Sequence, residues 1–187
     1  MAGTRDARRR ILEATADLVT TRGLDAATPA AIAERADAGK MSLYRHFSGK
    51  DELVAEALAE RDLDLRAWLI GDPADGTPRE RLLALFERAA DRADHGGSSF
   101  IGCPYVSARL NMPDDDHPAA AVVVAHKDGM RGELAGLLAE MGVPDPELTA
   151  DAVLMLLDGA AVHSVIRGNG APLRAARAAL PGLISVP

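Results

Sequence analysis

Between Lys40 and Lys50 the chain places Lys40, Arg45, His46 and Lys50 among the hydroxyls of Ser42 and Tyr44, with Met41 alongside. Lysine and arginine donate to phosphate oxygens and to ring acceptors such as guanine O6 and N7, whereas hydroxyls serve phosphates well and discriminate bases poorly. Other chemistries are poorly provided for. There is no Gly-rich phosphate loop, nucleophile elbow or His-Glu-x-x-His pair. Ser42 is the serine with a basic cluster beside it, and helical geometry aims it at solvent. Cys103 is the single cysteine, which excludes an internal disulfide framework and any multi-cysteine metal site. Asp114-Asp115-Asp116-His117 carries metal-friendly atoms, but adjacent loop residues rarely converge on one ion, and a solvated loop before Pro118 is the expected reading. No enzyme, no metal and no cofactor is expected.

The elements that must hold these side chains are helices. Apolar residues recur at helical intervals along nearly every long segment, and no sustained period-2 alternation occurs, so the fold class is all-α. A first helix is predicted from about Asp6 to Arg22, ended by Gly23. Thr28-Pro29 caps a short second helix to about Ala36, Asp37-Ala38-Gly39 interrupts, and a third runs from Lys40 to about Phe47. A long helix over about 49–70 follows, then starts at Thr77-Pro78-Arg79-Glu80, near Pro104, at Pro118 and at Asp145-Pro146, and a last helix from about Pro172 to Leu183. The helix after Asp145-Pro146 reads Val153, Leu154, Met155, Leu156, Leu157 without a break and is apolar all round, so it needs burial on every side. In a chain of 187 residues the second side is most simply covered by another copy, through helices at about 146–168 and 172–183.

Composition bounds the partners. Apolar residues are 48% and charged residues 26% of the chain, and no apolar run approaches the roughly 18 residues of a membrane span. No secretory signal pattern opens the chain, so the cytoplasm is expected. The net charge of -7 speaks against nucleic acid only on average. Residues 1–50 carry nine basic side chains against six acidic, whereas residues 51–187 carry 12 against 22. That asymmetry suggests two jobs, and two domains at 1–50 and 51–187, with the basic part as the candidate nucleic-acid binder. Aromatic residues at 3% are too few for base-stacking platforms, which leaves double-stranded DNA.

Two short helices joined by a three-residue turn match the helix-turn-helix, whose second helix lies in the major groove. Ile32, Ala33, Ala36, Leu43 and Phe47 are placed to face inward; Lys40, Ser42, Arg45 and His46 point out. The alternative is a helical hairpin with solvated charges, in an adaptor that binds protein and not DNA. Arg8, Arg9 and Arg10 near the first helix's start would meet unfavourable dipole charge, which a DNA phosphate would relieve.

Residues 8–58, with Leu43-Tyr44-Arg45-His46-Phe47-Ser48-Gly49-Lys50-Asp51-Glu52-Leu53 as their most specific run, resemble the N-terminal domain of the TetR family of transcriptional repressors. The resemblance implies a three-helix DNA-binding domain, a helical ligand-binding and dimerisation domain, and a homodimer on a near-palindromic operator, released by a small-molecule effector. It implies phosphate contacts by Tyr44 and Lys50, hydroxyl or helix-terminus contacts by Thr28 and Ser42, and approach to base edges or the adjacent backbone by Lys40, Met41, Arg45 and His46. Asp37 and Gly39 depart from the family pattern of glycine and a serine or threonine, so a weaker cap on the third helix is expected. For the effector, the candidate lining residues are Trp68, Phe86, Phe100, Cys103, Tyr105, Asn111, His126, Met130 and Met155. Trp68, Phe86 and the methionines sit equally well as core, and His126 as a rim residue. His163 belongs to the expected dimer helix. A thiol with no basic neighbour in sequence, such as Cys103, is usually inert.

Overall fold

The computed structural model describes residues 2–114 and 116–184, with side chains from Asp6 onward; Asp115 of the acidic loop lies outside the described residues. They form nine α-helices and three 3-10 turns, with no strand among the described residues. The helices are α1 (Ala2–Arg22), α2 (Pro29–Arg35), α3 (Lys40–His46), α4 (Lys50–Ile70), α5 (Pro78–Gly96), α6 (Pro104–Leu110), α7 (Pro118–Glu140), α8 (Pro146–Arg167) and α9 (Ala171–Leu183). The backbone sorts into two compact units, and both are discontinuous: residues 1–63 with 104–125, and 64–103 with 126–187. This cut differs from a division at residue 50 because α4 and α7 each supply residues to both units.

In the first unit α1, α2 and α3 close on one another around Ile11, Leu12, Leu18, Val19, Ile32, Leu43 and Phe47, all buried. Leu53, Val54, Ala57 and Leu58 of α4 are buried too, and the Tyr105 hydroxyl of α6 donates to the Leu58 carbonyl at 2.8 Å. The buried His117 accepts the Ala119 N–H on Nδ1 at 3.1 Å and sets Nε2 3.4 Å from Asp51, tying the start of α7 to the start of α4.

The second unit has its core on Leu82, Leu85, Phe86, Met130, Leu134, Leu138, Val153 and Leu173. Thr77 and Glu80 exchange reciprocal hydrogen bonds at the start of α5, as the spacing predicts. At α9, Gly170 is required by close approach: a Cβ there would stand 2.4 Å from the Ala90 carbonyl oxygen. Its N–H donates to Asp94 at 2.6 Å, and Arg174 reaches Glu87, Asp91 and Asp94 at 2.6–2.7 Å, clamping α9 to α5. These donors hold the Asp94 carboxyl below the usual carboxylate range, the Gly170 N–H contributing most.

Helix α8 is long and apolar enough to cross a membrane by composition, yet Asp151 and Asp158 on it pair with Arg131 and Lys127 of α7 at 2.7 Å. Its inward face is buried through Ala150, Val153, Leu154, Leu157, Ala160 and Ala161, while Met155, Val162, Val165 and Ile166 are exposed. The core helix of a soluble protein passes the same test of length and apolarity.

Candidate nucleic-acid interface

Thr28 sets the start of α2: its hydroxyl accepts the Ala31 N–H at 3.2 Å, and Pro29 follows at the first helical position. The hydroxyl proton remains available to an outside acceptor. After α2 the chain turns through Asp37, whose φ of 44° makes it the sole non-glycine with positive φ among the described residues. Aspartate tolerates this region better than most residues. Gly39 offers no side-chain cap to α3, as its lack of a hydroxyl predicts.

Leu43 and Phe47 anchor α3 inward at 3% and 5% exposure. At 100° per residue this turns Met41 and Arg45 outward, with Ser42, Tyr44 and His46 at the sides, while Lys40 shares the side of Leu43 and is exposed at the start of the helix. Met41 is 77% and Tyr44 59% exposed, and Lys40 and Arg45 are exposed as well. Lys50 opens α4 beside this surface, where Glu52 accepts the Ser48 N–H at 2.9 Å and fixes the entry of that helix.

The cations of this unit divide into two sets. Arg8 pairs with Glu56 and Glu60 and lies 5.2 Å from the centre of the Phe47 ring. Arg9 pairs with Asp6 and Glu13, Arg10 with Asp6, and Arg35 with Asp17. The expectation that Arg8, Arg9 and Arg10 wait for a phosphate at a helix start is therefore corrected. The helix begins upstream at Ala2, which puts them beyond its first turn, and carboxylates within the unit already balance them. Lys40, Arg45 and Lys50, by contrast, make no ion pair among the described residues. Arg8, Arg9, Arg10 and Arg35 are thus compensated, whereas Lys40, Arg45 and Lys50, like Arg22 at the end of α1, are not.

The proposed effector residues are divided between the two units. Phe86, Phe100 and Met130 belong to the core of the second unit, and His126 is 2% exposed in the same unit. Trp68 is 43% exposed, with the Arg92 guanidinium 5.8 Å from its ring centre. Tyr105 and Asn111 lie in the first unit, Asn111 donating to the Ser107 carbonyl at 2.8 Å. Met155 lines a groove of about 720 Å³ between α8 and α9, with Gly159, His163, Arg167, Pro172 and Ala175. One detail of the sequence reading changes: Cys103 does have a basic neighbour. Lys127 of α7 brings its Nζ to 3.5 Å from the sulfur while bonding both Asp158 oxygens, and His126 Nε2 stands 4.0 Å away. The separation of 24 positions between Cys103 and Lys127 hid this proximity.

A trihelical unit that closes a helix-turn-helix and leaves its second helix cationic and unpaired defines a DNA-binding regulator. Comparison with known proteins agrees. Residues 11–57 match the family model for bacterial regulatory proteins of the tetR family, and residues 117–186 match that for the tetracyclin repressor-like C-terminal domain. The chain is 30% identical over 156 residues to the transcriptional repressor KstR2 of Mycolicibacterium smegmatis, covering 78% of this chain and 71% of that protein. It is 31% identical over 166 residues to an HTH-type transcriptional regulator of Mycobacterium tuberculosis, covering 82% and 86%. A TetR-type regulator structure from Streptomyces avermitilis superposes with a TM-score of 0.78 at 32% identity, over 92% of this chain and 97% of that one. The protein belongs to the TetR family of transcriptional regulators. These likenesses give no support to the protein-binding adaptor.

Proposed function

We propose that the protein is a homodimeric repressor in which residues 1–50 read a near-palindromic operator and the remainder binds a small-molecule effector that releases it, in the cytoplasm and without catalytic chemistry. The observation that carries this is the set of unpaired cations at Lys40, Arg45 and Lys50, the first two exposed and Lys50 half-buried, where Arg8, Arg9, Arg10 and Arg35 are matched. In this reading Arg45, Lys40 and His46 approach base edges or the adjacent backbone. Tyr44, Lys50, Thr28 and Ser42 hold phosphates.

The dimer is assigned to α8 and α9. The apolar residues exposed on α8 and the 720 Å³ groove beside them suit a self-complementary interface, which two-fold symmetry demands. Two copies then set their α3 helices roughly 34 to 36 Å apart, one turn of duplex. Phe86, Phe100, His126 and Met130, all buried in one unit with Cys103 nearby, are better candidates for effector contact than the exposed Trp68 and Met155 of that unit.

Selection of bound duplexes from a random pool tests the whole reading. It should return inverted half-sites, and affinity for them should fall with a log–log salt slope of about -5 to -7, given three or four phosphates neutralised per subunit. Failure to enrich any duplex at low salt would overturn it.

A further inference from the structure

Among the outward residues of α3, Met41 is the one whose chemistry the cationic surface does not explain. It lies four residues before Arg45 on the same face, opposite the buried Leu43, and is 77% exposed. Its side chain offers no donor and only a weak acceptor, so it has little to give a phosphate or a polar base edge. Lone exposed apolar residues are ordinary on a protein surface, but this one occupies the centre of the helix face that enters the groove in the reading above.

The major groove presents one apolar feature, the 5-methyl group of thymine. A flexible, polarisable thioether suits contact with it. We propose that Met41 reads a thymine methyl in each operator half-site and is a specificity-determining residue beside Arg45. The four-residue rise between the two side chains is about 6 Å, against about 3.4 Å per base step. The thymine therefore falls within about two base pairs of the guanine that Arg45 reads. This inference rests on the DNA-binding reading.

The test uses the full-length protein and a duplex recovered by selection. Each thymine near the position that responds to Arg45→Ala is replaced singly by deoxyuridine, which removes only the methyl. One replacement should weaken binding by about fourfold, the loss expected for one buried methyl. Met41→Ala should abolish that difference between thymine and uracil, and Met41→Leu should keep most of it. Met41 is exposed, so neither variant should alter thermal unfolding, and circular dichroism checks this. A selected duplex in which no uracil substitution acts through Met41 would overturn this proposal while leaving DNA binding intact. Failure to select any duplex would overturn both.

Discussion

Helices α3 and α8 both present side chains that nothing among the described residues of the chain satisfies, and the two deficits are opposite in kind. On α3 the surplus is positive charge, at Lys40 and Arg45, while Asp6, Glu13, Asp17, Glu56 and Glu60 are engaged by arginines of α1 and α2. On α8 it is apolar surface, at Met155, Val162, Val165 and Ile166, while Asp151 and Asp158 are paired to α7. Uncompensated cations call for a polyanion; an uncovered apolar stripe calls for another stripe of the same kind. In the proposed reading the first partner is DNA and the second another copy of the chain.

The comparison breaks most visibly at α8. Ile166→Glu places a charge on the stripe without touching the core of its own chain, since Ile166 is 73% exposed. Light scattering should then give a monomer at micromolar concentration, with operator affinity down by about a hundredfold or more as the second head ceases to be tethered. A dimer that survives this change would sever α8 from self-association. At α3, Arg45→Ala should cost about 1 to 3 kcal/mol on the selected site and relax preference at one position, read by competition among single-base variants. Lys50→Ala should weaken all duplexes alike and reduce the salt slope by about one per half-site. An exchange of these two outcomes would invert the assignment of base and phosphate contacts.

Smaller effects sharpen the contrast with purely structural residues. Thr28→Ala removes the cap on α2 and should lower stability by about 1 kcal/mol in urea unfolding, with Thr28→Ser largely neutral. Asp94 carries a depressed pKa in the folded state, so its contribution is present above the unfolded value near pH 4 and is lost as pH falls through the folded one. Thermal midpoints measured from pH 5 to pH 2 should therefore fall less steeply for Asp94→Asn than for the parent protein.

What the sequence disclosed follows the range of the forces involved. Helix starts governed by a residue or two at the terminus were legible: Thr28-Pro29, Thr77 with Glu80, and Asp145-Pro146 all cap where their spacing predicts. The start of α1 was not, because Ala2-Gly3-Thr4-Arg5 offers no such marker and the helix runs further back than Asp6. The inward set of the helix-turn-helix followed from periodicity alone, as the burial of Ile32, Ala33, Leu43 and Phe47 bears out. Pairings across the chain did not. Arg8 with Glu56 and Lys127 with Cys103 span 48 and 24 residues, and no local pattern encodes either.

The return of residues 104–125 to the first unit has a practical consequence. Tyr105 seals α4 at Leu58, and His117 fastens the start of α4, both from a stretch that follows the head by half a hundred residues. A fragment ending near residue 50 would lose the buried Leu53, Val54, Ala57 and Leu58 of α4 together with these supports, so the reading head is not expected to fold as a portable cassette. Chimeras that exchange specificity between relatives should graft α2 and α3 into the intact chain instead of swapping whole N-terminal segments.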